Sequence, residues 1–502
     1  MEVLGYLLVC LGLLWGLLRV FRRVPSQGAK GKPKLPPGPS PLPVVGNLLS
    51  LGRRSHRTLA DLARTYGPVM SLKLGCIRSV VISSAAAARE VMQKHDLTFS
   101  DRTVPDSVRN CDHHLHSVGW IPVSPKWRSL RRISKTHIFS AERLADKQDL
   151  RRKKVDDLLV HIRQCAGTGK AVDIGTAAFS TTLNLLSNTI FSVDLADASS
   201  DTAREFKSLV SDMLIAAAEP NLSDFFPVLR HLDIQGIRRR MTIYNKKLLK
   251  IIDQFINTRL AARKETDYRP VNDVLDVLMG LYEDNSFEEI DLTDVQHFLL
   301  DLFAAGADTT ANTVEWVMAE LIHNPTCLSK VRKETERIIG GGRAVQESDI
   351  PNLPYLQAVV KETFRMHPPT PLLVPRMARE DTEIMGFTIP RGAQVLINAY
   401  AIGRDSQSWK DPEVFMPERF LGSDVNIDVK GSNFELIPFG AGRRICPGYP
   451  LAQRMVPLMV ASMVQGFDWK TEGKGEDMSL DDVFGLVVRL ATPLCAIPIP
   501  VN

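Results

Sequence analysis

Ten residues near the C-terminus leave this chain less freedom than any other stretch: Phe439-Gly440-Ala441-Gly442-Arg443-Arg444-Ile445-Cys446-Pro447-Gly448. Glycines let a backbone close tightly around a sulfur. The loop ends where a helix begins, and N–H groups at a helix start can support negative charge. A cysteine that ligates iron has to be a thiolate, and a thiolate in an apolar interior needs such support. A lone buried cysteine is ordinarily an inert small hydrophobe, but the glycines and arginines around Cys446 set it apart. The seven cysteines (Cys10, Cys76, Cys111, Cys165, Cys327, Cys446, Cys495) are odd in number, scattered, and form no C-x-x-C pair. That argues against a zinc site and a disulfide framework, and fits a reducing compartment.

The net charge of +5 is local. Arg19, Arg22, Arg23, Lys30, Lys32 and Lys34 face Glu2 alone in the first 34 residues, so the rest of the chain is neutral and a general nucleic-acid surface is not supported. Val3 to Phe21 is almost wholly apolar and can nearly span a hydrocarbon core of about 30 Å. The basic residues follow this run and no small-x-small cleavage site does, so residues 1–23 read as an uncleaved anchor with the body in the cytosol. Residues 24–43 form a basic, proline-rich hinge, and residues 44–502 are expected to be one large domain. The sequon Asn221-Leu222-Ser223 is then on the wrong side for glycosylation. A capping box at Thr293–Gln296 opens an expected helix running to Asn324; further helices follow at Pro325–Ile339 and Tyr355–Met366. Strands are expected at Val69–Leu74, Ser79–Ile82 and Gln394–Ile397. The fold class is mainly α with a small β-rich portion.

With F-x-x-G-x-R-x-C-x-G complete, the sequence resembles the cytochrome P450 family over essentially its whole length. The resemblance implies the P450 fold, haem b, and Cys446 as ligand to its iron. It also implies that Glu362 and Arg365, otherwise an ordinary i, i+3 surface pair, lock to Arg419 of Pro417-Glu418-Arg419-Phe420. In Ala305-Gly306-Ala307-Asp308-Thr309, Gly306 would open a groove for dioxygen, Thr309 would hydrogen-bond it, and Asp308 would relay protons. The bland alternative is a threonine bonded to its own i−4 carbonyl. Trp127 and Arg131, one helical turn apart, would reach a haem propionate, with Arg444 and Arg376 as further candidates; Phe439 and Gly448 complete the cofactor set.

His113, His114 and His116 read as a solvated loop rather than a metal cluster, and Gly167-Thr168-Gly169-Lys170 lacks the first glycine and final Ser/Thr of a phosphate loop. No flavin or nicotinamide segment is recognisable, so electrons from NADPH are expected through a separate reductase. Arg128, Arg131, Arg132, Lys135 and Arg443 form a basic docking candidate. Within the family the chain is similar to the plant microsomal group that contains geraniol 8-hydroxylase and ferruginol synthase, through Asn221–Leu229, Asp233–Arg238 and Asn398–Asp405. This implies an endoplasmic-reticulum enzyme that hydroxylates an apolar terpenoid. Expected pocket residues are Phe303, Ala304, Leu372, Leu373, Phe484 and Leu486, though an apolar core has the same composition. An alkaloid or phenolic substrate, a haem-thiolate isomerase needing no reductase, and a non-catalytic haem binder are the alternatives; the Asp308-Thr309 pair speaks against the last two.

Overall fold

Asp291 opens the longest helix, two residues upstream of the expected capping box. Its carboxylate accepts from the Asp294 N–H at 2.7 Å, and the Asp294 carboxylate accepts from the Asp291 N–H at 3.1 Å. Two orphan donors are thereby satisfied by a pair of aspartates in place of the expected Thr–Gln pair. The computed structural model describes residues 34–196, 201–284, 286, 289–422, 427–471 and 478–501. The expected anchor, and the hinge up to residue 33, lie outside them. Among the described residues no helix is long and apolar enough to cross a membrane.

In chain order the helices that position the site are α1 (Ser55–Tyr66), α2 (Pro125–Ile133), α3 (Gln148–Thr168), α4 (Ile174–Phe191), α5 (Asp201–Ala218), α6 (Ile237–Ala262), α7 (Leu292–His323), α8 (Pro325–Ile339), α9 (Pro354–Met366) and α10 (Tyr449–Gly466). The strands are β1 (Val69–Leu74), β2 (Ile77–Ile82), β3 (Asp101–Arg102), β4 (Arg376–Met377), β5 (Gln394–Ile397), β6 (Asp482–Val483) and β7 (Arg489–Leu490). The expected helices and strands thus fall within two residues of those observed.

At 32 residues α7 is about 48 Å long. Most of it is buried, because α4, α6, α9 and α10 pack around it. Trp316, Val317 and Met318 lie in one apolar cluster with α9 and α10, while Phe298, Leu299 and Phe303 lie in another with α4, α5 and α6. Each fully buried Leu, Val or Phe contributes about 1.5–3 kcal/mol by leaving water, so α7 is the axis on which both clusters depend. The main sheet has the order β1-β2-β5-β4-β3, with β5 parallel to β2 and the other pairs antiparallel. Its edge register sets Arg102 of β3 opposite Arg376 of β4.

Candidate active site

The cysteine loop folds as its glycines require. Gly442 has φ +69°, and a Cβ there would stand 2.2 Å from the Met92 carbonyl oxygen, so no side chain is tolerated. Cys446 donates its N–H to the Phe439 carbonyl at 3.0 Å, and the Phe439 ring packs edge-on to Phe364 of α9 with centroids 5.1 Å apart. Burial pushes the Cys446 thiol up; the backbone N–H of Gly448, the Arg131 charge and the N–H of Tyr449, the first residue of α10, oppose it. Cys446 is packed deep in protein yet keeps accessible surface. Those N–H donors, with an adjacent cation, suit a sulfur that binds metal as a thiolate.

Four arginines converge beside this loop. Arg444 is buried and donates to the carbonyls of Ser100 at 2.9 Å, Val118 at 3.1 Å, and Ile121. Its guanidinium lies 4.8 Å over the Trp127 ring, and that of Arg131 lies 5.7 Å over the same ring. Arg376 donates to Phe99 and Ala441 carbonyls, each at 3.2 Å, and pairs at 3.7 Å with Asp96. Asp96 also serves the exposed Arg443. Arg102, which sequence reasoning missed, donates to the Val374 carbonyl at 2.5 Å and keeps a buried Nε without a partner. Among the described residues no carboxylate pairs with Arg102, Arg131 or Arg444.

Buried like charges repel, and burial itself disfavours each charged form. Burial, followed by Arg376, Arg444 and Arg131, holds Arg102 well below the ordinary arginine range. Burial and then Arg376 lower Arg444 to about 10, while burial lowers Arg376 to about 10 against the opposing charge of Asp96. A buried cationic cluster with an orphaned donor calls for an anion. The two carboxylates of haem fit it, and Cys446 fits its iron.

The chain matches the family model described as Cytochrome P450 over residues 36–494. The chain belongs to the cytochrome P450 family. It is 48% identical over 497 residues to geraniol 8-hydroxylase of Catharanthus roseus, covering 99% of both chains. To drimenol monooxygenase of Persicaria hydropiper it is 50% identical over 469 residues, 93% of this chain and 92% of that one. To 7-ethoxycoumarin O-deethylase of Helianthus tuberosus it is 49% identical over 475 residues, 94% and 96% of the two. This P450 is a haem b enzyme and a monooxygenase.

The remaining expected residues divide. Glu362 grips Arg365 through both carboxylate oxygens at 2.7 Å and accepts from Arg419 Nε at 3.0 Å, fastening α9 to the segment ahead of the loop. Trp127 gives its indole N–H to the Val118 carbonyl at 3.2 Å, and its ring braces the Arg444 guanidinium of this P450. Thr309 donates to the Ala305 carbonyl at 2.7 Å, the i−4 bond that α-helical threonines favour. Asp308 pairs with Arg489 of β7 at 2.9 Å. A Cβ on Gly306 would stand 2.9 Å from the Leu186 side chain of α4, so the glycine lets α7 and α4 approach closely there.

One pocket expectation needs correction. Phe303 is fully buried between Phe191 and Phe206, with ring centroids 5.7 and 4.9 Å away, and is core. Phe484 stacks on His56 at 5.3 Å, held there because His56 bonds Asp482 of β6 at 3.2 Å. Leu486 is exposed, Leu372 packs beneath β1, Ala304 is half-buried along α7, and Leu373 comes close to the cysteine loop, 3.7 Å from where a Gly440 Cβ would stand. The solvated loop expected at His113–His116 is also corrected. His113 is buried, 2.8 Å from His297 and 3.1 Å from Asp301, and His116 lies 2.6 Å from Asp294, because the first turns of α7 carry both acids to it.

Proposed function

We propose that this P450 hydroxylates an apolar terpenoid, a monoterpenol such as geraniol or a diterpene, using dioxygen and NADPH electrons delivered by a separate reductase. The observation that carries the reading is the 48% identity to a geraniol 8-hydroxylase over 99% of both chains. The drimenol relative supports the same substrate class. A phenolic substrate is the second reading, favoured by the 7-ethoxycoumarin O-deethylase relative. The apolar run at residues 3–21 and the basic residues behind it support a single-pass anchor in the endoplasmic reticulum, with the body in the cytosol.

Haem supplies dioxygen activation when bound, and its sulfur ligand favours O–O cleavage. The protein fixes geometry and protons around it. Gly448 and Tyr449 N–H groups oppose the burial that pushes the Cys446 thiol up and would support its thiolate on iron, and Arg102, Arg131, Arg376 and Arg444 would hold the carboxylates. Thr309 keeps its lone pairs free to accept, since its own proton is committed to Ala305. Asp308 carries protons toward it through water, because neighbouring helix residues project about 100° apart.

The test is product analysis from microsomes holding this protein and a plant reductase, supplied with NADPH and geraniol. NADPH-dependent hydroxygeraniol is the expected result. Deethylation of 7-ethoxycoumarin with no geraniol product, from protein with a normal reduced-CO spectrum, would replace the terpenoid reading with the phenolic one.

A further inference from the structure

The α7 helix carries a polar stripe that the cysteine loop does not use. Asp308, Asn312 and Glu315 stand at i, i+4 and i+7 and therefore share a face. They line a cleft of about 600 Å³, partly open to solvent, between the starts of α4 and α5 and the Arg489 strand. Asn312 is 4% exposed; its amide N–H donates to the Val488 carbonyl at 2.8 Å, and its Oδ1 has no partner. A buried amide oxygen beside a polar cleft is where an ordered water belongs. Glu315 is likewise buried and accepts from the Leu494 N–H at 3.0 Å. Burial holds its carboxyl above the usual range; the Leu494 N–H and Arg489 oppose, while Asp173 and Asp308 reinforce. Gly175 makes room for that carboxyl, since a Cβ there would stand 2.8 Å from it. The other charged groups on the cleft wall are Arg204, Lys207 and Asp212.

We infer that this cleft is the proton entrance of the enzyme: water anchored by Asn312 carries a proton from Glu315 to Asp308, with Arg489 as the positioning residue that holds Asp308 ready. The inference rests on Asp308 acting as the relay proposed above. The Glu315 O–H bond breaks as a cleft water gains the proton. A chain of cleft waters, one of them held by Asn312, passes a proton over the roughly 10 Å of helix to the Asp308 carboxylate, whose ion pair with Arg489 opens as its charge is lost. Glu315 is then reprotonated from bulk solvent. No electron moves, and the protons are those needed when the second oxygen atom leaves as water.

The test uses the full chain, haem-loaded, with its reductase. Difference infrared spectra of the resting protein at neutral pH should contain a protonated-carboxyl band that Glu315→Gln removes. The same variant should lower product formed per NADPH consumed by about a hundredfold, the low end of what a positioned proton donor contributes, with an unchanged reduced-CO spectrum. Should that variant fail to load haem, Gly175→Ala, which displaces the carboxyl from outside, is expected to give the same loss. No band in the wild type overturns the inference. So does normal coupling in Glu315→Gln while Asp308→Asn is impaired, which would leave the relay standing. Normal coupling in Asp308→Asn would remove the relay reading and this entrance with it.

Discussion

Arg365 and Arg102 are both buried guanidiniums that donate to backbone carbonyls, yet their electrostatic settings are opposite. Arg365 meets Glu362 through two bonds of 2.7 Å, and the same carboxylate takes Arg419 and the Met416 N–H. That group sets two guanidiniums against one shared carboxylate, and backbone carbonyls take the remaining donors. Arg102 faces Arg131, Arg376 and Arg444 with no acid of its own, and one of its nitrogens is unpartnered. The closed group is held together within the chain; the open group, on the reading proposed above, is completed by haem and lowers the stability of the haem-free protein. Burial of charge is common to both, so burial alone does not mark a site. An unbalanced sign with an orphaned donor does.

Removing the centre of the closed group should have the largest effect. Glu362→Ala strands two buried cations, and breaking such a pair costs about 3–5 kcal/mol. Chemical denaturation should show that loss, or no folded protein at all; an unchanged midpoint would erase the contrast. In the open group the sign reverses. Arg102→Met should leave the haem-free protein as stable or more so, while haem affinity falls by about 10- to 100-fold, the worth of charged hydrogen bonds of about 1.5–3 kcal/mol. A variant less stable without haem would place Arg102 with Arg365.

A third buried group lies between these, because its charge depends on pH. His297 is pushed down to about 4 by burial and by His113 and His116, against Asp301 and Asp294. Its folded value lies below its unfolded value of 6.5, so the neutral form is the folded one. Its contribution is complete above pH 6.5 and is lost as pH falls toward about 4, amounting to about 2 kcal/mol by pH 5. Denaturation midpoints across that window should fall in the wild type and flatten in His297→Gln. The smallest effect on stability is expected at the exposed cations: reversing Arg132 and Lys135 should shift stability by no more than about 0.5 kcal/mol. It should slow reduction by the reductase without changing haem content, since rim charges act mainly on association; unchanged reduction kinetics would remove this docking face.

The same contrast explains what the sequence disclosed. Glu362, Arg365 and Arg419 lie in short local motifs, and the cysteine loop is ten consecutive residues, so each could be read in one dimension. The ends of α7, α8 and α9 were legible because prolines and caps mark them. Arg102 carries no motif. It becomes a site residue only when β3 pairs with β4 and sets it opposite Arg376, a contact across 274 positions that no local pattern encodes. Phe303 was misplaced for a related reason: an apolar side chain on a site-bearing segment looks the same whether it faces the pocket or the core. His113 looked solvated until α7 brought Asp301 and His297 to it.

The account turns on the open arginine group being a receptor for the two haem carboxylates. The direct measurement is titration of the haem-free protein with haem and with its dimethyl ester, in the wild type and in Arg102→Met. The ester should bind the wild type at least about tenfold more weakly, the equivalent of one charged hydrogen bond, and that difference should shrink in the variant. Equal binding of haem and ester by the wild type would contradict the account.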